Sequence, residues 1–198
     1  MFDANSRERM GGTNNSFGAT SRRLCFAAAL GTLSVATYGC RVSETDVKRW
    51  EMTQRGPYKL VAVITHDKYP MELRTEAAMS LIRMPARGGV RQGIKFLIEK
   101  YKDEDGEERE GALVQLSEET RKTIVDRLVP LLIEELKPPP PARTPEGGLP
   151  PDPTIPYKEA SFALYIHESP SLISNDKTKA DLKAALMKWS QTGFEDRV

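Results

Sequence analysis

The residues able to do chemistry are few and scattered. There are two histidines, His66 and His167, each followed by an acid, Asp67 and Glu168. A histidine beside a carboxylate is a common beginning for general acid–base work, because the carboxylate orients the ring and stabilises its charged form. His66-Asp67 falls in a turn between two helical segments, where capping and solvation account for it. His167-Glu168 has no nucleophile signature beside it, and Ser171 and Ser174 read as loop serines. The paired acids Glu118-Glu119 follow Ser117, a good N-cap, so the helix dipole already explains them. The acidic run at 103–111, DEDGEEREG, offers oxygen ligands but lacks the spacing and closing glutamate of a calcium loop, and it reads as a solvated connector. No GxSxG, HExxH, phosphate loop or dinucleotide fingerprint occurs. The two cysteines, Cys25 and Cys40, both lie in the first 40 residues. The rest of the chain therefore has no disulfide, no thiolate metal site and no cysteine nucleophile. These residues give no catalytic, cofactor or metal assignment. An enzyme reading stays open only as a hydrolase or modifying enzyme with an unrecognised site around His66 or His167.

The elements that would position these residues are helical. With 198 residues, 39% of them hydrophobic and 29% charged, the composition is that of an ordinary globular chain with room for one domain of moderate size. The formal charge is +1. Residues 1–39 hold four arginines (Arg7, Arg9, Arg22, Arg23) and two acids (Asp3, Glu8), so the remainder has 25 basic against 26 acidic side chains. Binding along a phosphate backbone needs a strong positive field, and this balance argues against nucleic acid as a partner.

The stretch from Gly56 to Tyr101 is the organising one. Leu73, Ala77, Leu81 and Met84 share one helical face, widened by Ala78, with Glu72, Arg74, Glu76 and Arg83 off it. The small alanines let a neighbouring helix approach closely. Pro85 and Gly88-Gly89 end this helix. Before it, Pro57 opens YKLVAVIT, whose β-branched residues also suit a strand; its helical surroundings favour a helix over 57–66. After it, Ile94, Leu97, Ile98 and Tyr101 predict a helix over 90–101. Asp46 or Thr45 is the expected cap of a short helix through Trp50, which reads as a packing residue. Ser117 begins a helix whose Ile124, Leu128, Leu131 and Leu132 face inward, and Pro130 is expected to kink or split it. Residues 138–156 contain nine prolines in 19 positions, a stiff linker or surface excursion. For 157–167, helix and strand patterns compete. Asp176 is expected to cap a last helix over 178–190, with Leu182, Leu186 and Trp189 on its apolar stripe.

The first 40 residues read as an export signal. A polar start precedes Arg22-Arg23, an apolar stretch from Leu24 to about Val35, and small residues up to Gly39-Cys40. That stretch, roughly 12 residues, is short of the ~20 a membrane-spanning helix needs. The exit resembles a bacterial lipoprotein signal, in which the cysteine becomes the lipidated first residue. Gly39 fits that pattern, and Thr37 and Tyr38 depart from it. The resemblance implies an acyl anchor on Cys40 and a place in the cell envelope, facing periplasm or exterior. The alternative is cleavage near Ala36, leaving a soluble secreted or periplasmic protein. Ser21-Arg22-Arg23 also resembles a twin-arginine signal, with Cys25 where that motif usually has Phe.

With the helices placed, PMELRTEAAMSLIRM resembles the second half of a HEAT-type repeat. Pro70, Leu73, Arg74, Ala77, Ala78 and Leu81 match that pattern, and GPYKLVAVITHDK resembles the first half. The match covers residues 50–101 well, 112–137 loosely and the chain after 138 poorly. The fold class expected is all-α, a short irregular α-α superhelix divided into a leader (1–40), a HEAT-like domain (41–137), a proline-rich stretch (138–156) and a C-terminal helical segment (157–198). The resemblance implies a non-catalytic scaffold that binds a protein partner in the envelope. The expected partner surface is a groove lined by Tyr58, Tyr69 and Arg74, and Trp189 and Phe194 are expected to cover the end of the stack or to meet a partner.

Overall fold

The computed structural model describes residues 42–142, 144, 148 and 150–192. Cys25, Cys40 and Phe194 lie outside the described residues. Eight helices and one two-stranded ladder make up the regular structure there. The fold is mostly helical, as the apolar periodicity predicts.

Helix α1 (Glu44–Trp50) starts at Ser43 rather than at Asp46 or Thr45. Ser43 Oγ accepts from the Asp46 amide, and the Asp46 carboxylate accepts from the Ser43 amide. This reciprocal arrangement satisfies two amides that would otherwise lack partners. Helix α2 (Gly56–Thr65) has Pro57 in its first turn and buries Leu60, Val61, Val63 and Ile64. The β-branched run is therefore helical, since its apolar residues have the faces of α1 and the next helix to bury against.

Helix α3 (Met71–Arg83) is the hub. Leu73, Ala77, Ala78, Leu81 and Met84 are all buried on it, as expected. Arg74 is buried as well, against the expectation that it lies off the packed face. Helices α1 and α2 pack on α3, and so do α4 (Gln92–Ile98), α6 (Glu118–Glu135) and α7 (Ile155–Ile166). Two glycines set how close these elements come. A Cβ on Gly93 of α4 would sit 1.8 Å from the Leu81 carbonyl oxygen, and one on Gly56 would sit 1.9 Å from that of Trp50. Only a residue without a side chain allows backbone to meet backbone there.

The third apolar stripe is a shorter helix than expected. α4 ends at Ile98, and Tyr101 belongs to strand β1 (Tyr101–Lys102), paired antiparallel with β2 (Glu108–Arg109). The charged run closes this hairpin. Asp103 Oδ1 accepts from the Asp105 and Glu107 amides, and its Oδ2 accepts from Arg109 Nε at 2.8 Å. Arg109 holds the Asp103 carboxyl below its ordinary range. A short helix α5 (Ala112–Gln115) leads to α6.

Ser117 caps α6 as predicted. Pro130 does not split it: the helix continues to Glu135. Pro130 stands on the exposed side, where the carbonyl that loses its partner can meet water, while Leu128, Val129 and Leu132 are held in the core. Leu131 is 43% exposed rather than inward, because the buried arc is centred on Val125, Val129 and Leu132 and leaves Leu131 at its edge. Residues 157–167 resolve as α7, and the last helix is α8 (Asp176–Gln191), capped by Asn175 rather than Asp176. α7 and α8 pack on each other and on α6, and Arg91 just before α4 meets Glu159 of α7 at 2.8 Å. No helix among the described residues is long and apolar enough to cross a membrane.

Candidate functional site

A wide concavity, about 890 Å³, lies where the start of α2, helix α4 and the β1–β2 hairpin converge. Its floor is aromatic. The rings of Phe96 and Tyr101 stack at 4.3 Å between centroids and 25° between planes. Tyr58 meets Phe96 edge-on at 5.0 Å and 86°, an arrangement favoured by the ring quadrupoles. The Tyr58 hydroxyl donates to the Lys102 carbonyl at 3.3 Å, tying α2 to the hairpin. Phe96 and Tyr101 are each only 7% exposed, so the floor is already packed.

The walls are basic. Arg55, Arg87, Lys95 and Lys102 line the concavity together with one acid, Glu104. Arg55 Nε pairs with Glu104 at 3.2 Å. Arg87, Lys95 and Lys102 carry no ion pair among the described residues. Arg87 and Val90 are presented by a tight turn in which Gly88 and Gly89 take φ of 59° and 77°, values that side-chain-bearing residues avoid. Val90 stands 54% exposed on the rim.

The residues expected to form one partner surface are not brought together. Tyr58 lines the concavity from the start of α2. Tyr69 lies beyond the other end of that helix, edge-on to His66 at 6.1 Å. A helix of this length is roughly 15 Å long. Arg74 is not a surface residue at all: its side chain is buried, donating from Nε to the Ile64 carbonyl. Trp189 is half-buried, with Nε1 donating to Thr154 Oγ1 at 2.7 Å and Lys158 Nζ 5.5 Å from its ring. It lines two smaller hollows, of about 250 and 350 Å³, on either side of α8.

The histidines serve local turns. His66 Nδ1 accepts from the Lys68 amide at 3.4 Å, and His167 Nδ1 lies 2.8 Å from the Pro170 carbonyl. Neither lines any of the three hollows. Among the described residues, no group of three or more His, Cys, Asp or Glu could hold a metal ion. A further polar cluster ties α1 to α3. Glu51 Oε1 accepts from Ser80 Oγ at 2.7 Å and from Arg83 Nε at 3.1 Å, and Arg83 Nη2 donates to Glu76 at 2.5 Å. Ser80 is fully buried, and this hydroxyl–carboxylate pair joins the end of α1 to α3. Next to it, burial pushes the Tyr157 hydroxyl up, and the carboxylates of Glu135 and Glu51 push it further, against Arg83.

Sequence reasoning missed Phe96, Lys95, Arg87 and Lys102 as neighbours of Tyr58. The Ile94-Leu97-Ile98 stripe drew attention to one side of α4, and Phe96 packs on another. No family model, no curated protein and no solved structure matches this chain.

Proposed function

We propose that this chain is a non-catalytic scaffold that binds a protein partner in the cell envelope, built on a HEAT-like helical hairpin and held at the membrane by an acyl anchor on Cys40. The observation that carries the binding role is the concavity itself. It is open and wide, its floor is aromatic, and Arg87, Lys95 and Lys102 on its walls carry no ion pair among the described residues. Both histidines bond within local turns, and Ser43, Asp46, Ser117 and Asn175 are engaged as helix caps. The packing of α2 on α3 and the full burial of Ala77 and Ala78 support the HEAT-like reading, with the later helices closing irregularly on α3. The envelope location comes from the leader at residues 22–40 and its resemblance to a lipoprotein signal.

A photo-crosslinking amino acid placed at position 95 of the full chain in bacterial cells tests the binding role. Position 122, exposed on α6, is the reference. Protein adducts from 95 that are absent from 122, and that weaken when Tyr58 is changed to Ala, are expected. Equal or absent adducts from the two positions overturn the reading.

A further inference from the structure

We infer that the concavity takes an extended acidic peptide segment bearing an aliphatic side chain among its carboxylates. This rests on the reading of the chain as a protein-binding scaffold, and it assigns the chemistry of the partner.

The charge argument comes first. The side chains lining the concavity sum to +3, since four cations face the single acid Glu104. Residues 40–198 as a whole sum to −1. A basic site on a neutral body selects a local acidic stretch and leaves most of the partner indifferent. Glu104 is already engaged with Arg55. The positive charge available to a ligand is therefore that of Arg87, Lys95 and Lys102.

The apolar surfaces exclude a bare anion as the whole ligand. Val90 stands exposed on the rim, and a small inorganic anion would leave it in water. An aliphatic side chain set between carboxylates would cover it. Gln54 and Gln92, exposed on the same rim, present amides of the kind that bond to peptide N–H and C=O groups. The volume of about 890 Å³ is near the upper end of the ~300–1,000 Å³ typical of ligand sites, enough for several residues of a peptide.

Single-stranded nucleic acid is the competing ligand for a basic, aromatic hollow. It binds by stacking its bases on open aromatic faces. Here Phe96 and Tyr101 stack on each other, Tyr58 and Phe96 meet edge-to-face, and both floor rings are almost fully buried. No open ring face of Phe96 or Tyr101 remains for a base, and half-buried Tyr58 alone cannot stack successive bases, which favours the peptide.

The test is fluorescence anisotropy with the full chain and four labelled probes: an alternating Glu/Leu peptide, the same peptide with Gln for Glu, the same with Lys for Glu, and an oligothymidylate. The Glu/Leu peptide should bind best, and more weakly as salt rises from about 0.05 to about 0.3 M, because the cations are exposed and screened. The double variant Lys95→Glu, Lys102→Glu should weaken it by at least about tenfold. Both lysines are exposed, and since Lys102 stands opposite Glu108 in the hairpin, the charge reversal should lower the melting temperature only slightly and leave the chain folded. Unchanged affinity in the double variant overturns the proposal, as does equal binding of the Gln/Leu peptide. Tighter binding of the oligothymidylate overturns it in favour of nucleic acid. Protein crosslinks from position 95 without affinity for the Glu/Leu peptide would leave the scaffold reading standing and remove this one. Peptide binding without crosslinks in cells would do the reverse.

Discussion

Arg74 Nε donates to the Ile64 carbonyl at 2.7 Å, and this bond joins the end of α2 to the start of α3. Ile64 is the penultimate residue of α2, so its carbonyl has no partner within the helix. The Arg74 side chain supplies one while only 1% exposed. Nη1 reaches out to Asp67 at 3.3 Å, whose side chain is 92% exposed. Nη2 is buried with no hydrogen-bond partner. The bond to the backbone, rather than the ion pair, is what holds the hairpin.

That ranking makes a prediction about stability. Arg74→Met should lose about 2–4 kcal/mol, because a buried carbonyl is left unpaired and the guanidinium's packing is lost. Asp67→Asn should lose less than about 1 kcal/mol, as exposed ion pairs do. Urea unfolding of the two variants checks the order, and equal losses would show the ion pair to be the stronger tie.

Gly93 gives a test in which propensity and packing disagree in sign. Alanine is the better helix former by about 1 kcal/mol. A Cβ at this position would stand 1.8 Å from the Leu81 carbonyl oxygen, an obstacle made of backbone. Gly93→Ala should therefore destabilise by at least about 2 kcal/mol. A raised melting temperature would mean that α4 can back away from α3 at little cost.

Tyr157 predicts an alkaline limit. Its hydroxyl is pushed above its ordinary value of 10.0 chiefly by burial. The folded state thus keeps the proton after the unfolded state has lost it. The associated stability is fully present below about pH 10 and is lost as pH rises toward the raised value. Tyr157→Phe removes this ionisation, so its urea midpoint should fall less between pH 9 and pH 11 than that of the parent chain. Parallel falls would show that Tyr157 titrates alike in both states.

Cys40→Ala should release the exported chain from the membrane fraction. Acyl chains on the cysteine would be the anchor, and no described helix can replace them as a membrane span. Membrane-bound protein in the variant would refute the lipid anchor proposed for this residue.

Much of the helical order was legible in the residues. Ser117 as a cap, Pro57 in a first turn, and the Leu73-Ala77-Leu81-Met84 face are local or single-helix features, and local sequence sets them. The errors have a common source in what lies across the gap from each element. Leu131 shares the spacing of its buried neighbours but sits at the edge of the arc that α6 presents to the core. Pro130 breaks an ideal helix, yet its unpaired carbonyl can face water while the residues beside it are pinned. Tyr101 continues the stripe of α4, yet the charged run that follows folds back and draws it into a strand.

The candidate site shows the same division. The amino-acid sequence by itself determined the material: a helical chain, a leader with a cysteine at its exit, a body close to neutral, and Tyr58 at the start of a helix. It also determined that acid–base residues are few and far apart along the chain. Only the tertiary structure decided which side chains share a hollow and which are used up in packing. It set Tyr58 over Phe96 and Tyr101, some 40 positions away, and left Lys95 and Lys102 beside them with no ion pair among the described residues. It also took Arg74 from the expected surface into the core. The physical reason is that a helix carbonyl lacking its partner, or a cation lacking its acid, is defined by three-dimensional neighbours. Periodicity reports a residue's face on its own helix, and the identity of what that face meets is settled only when the helices pack.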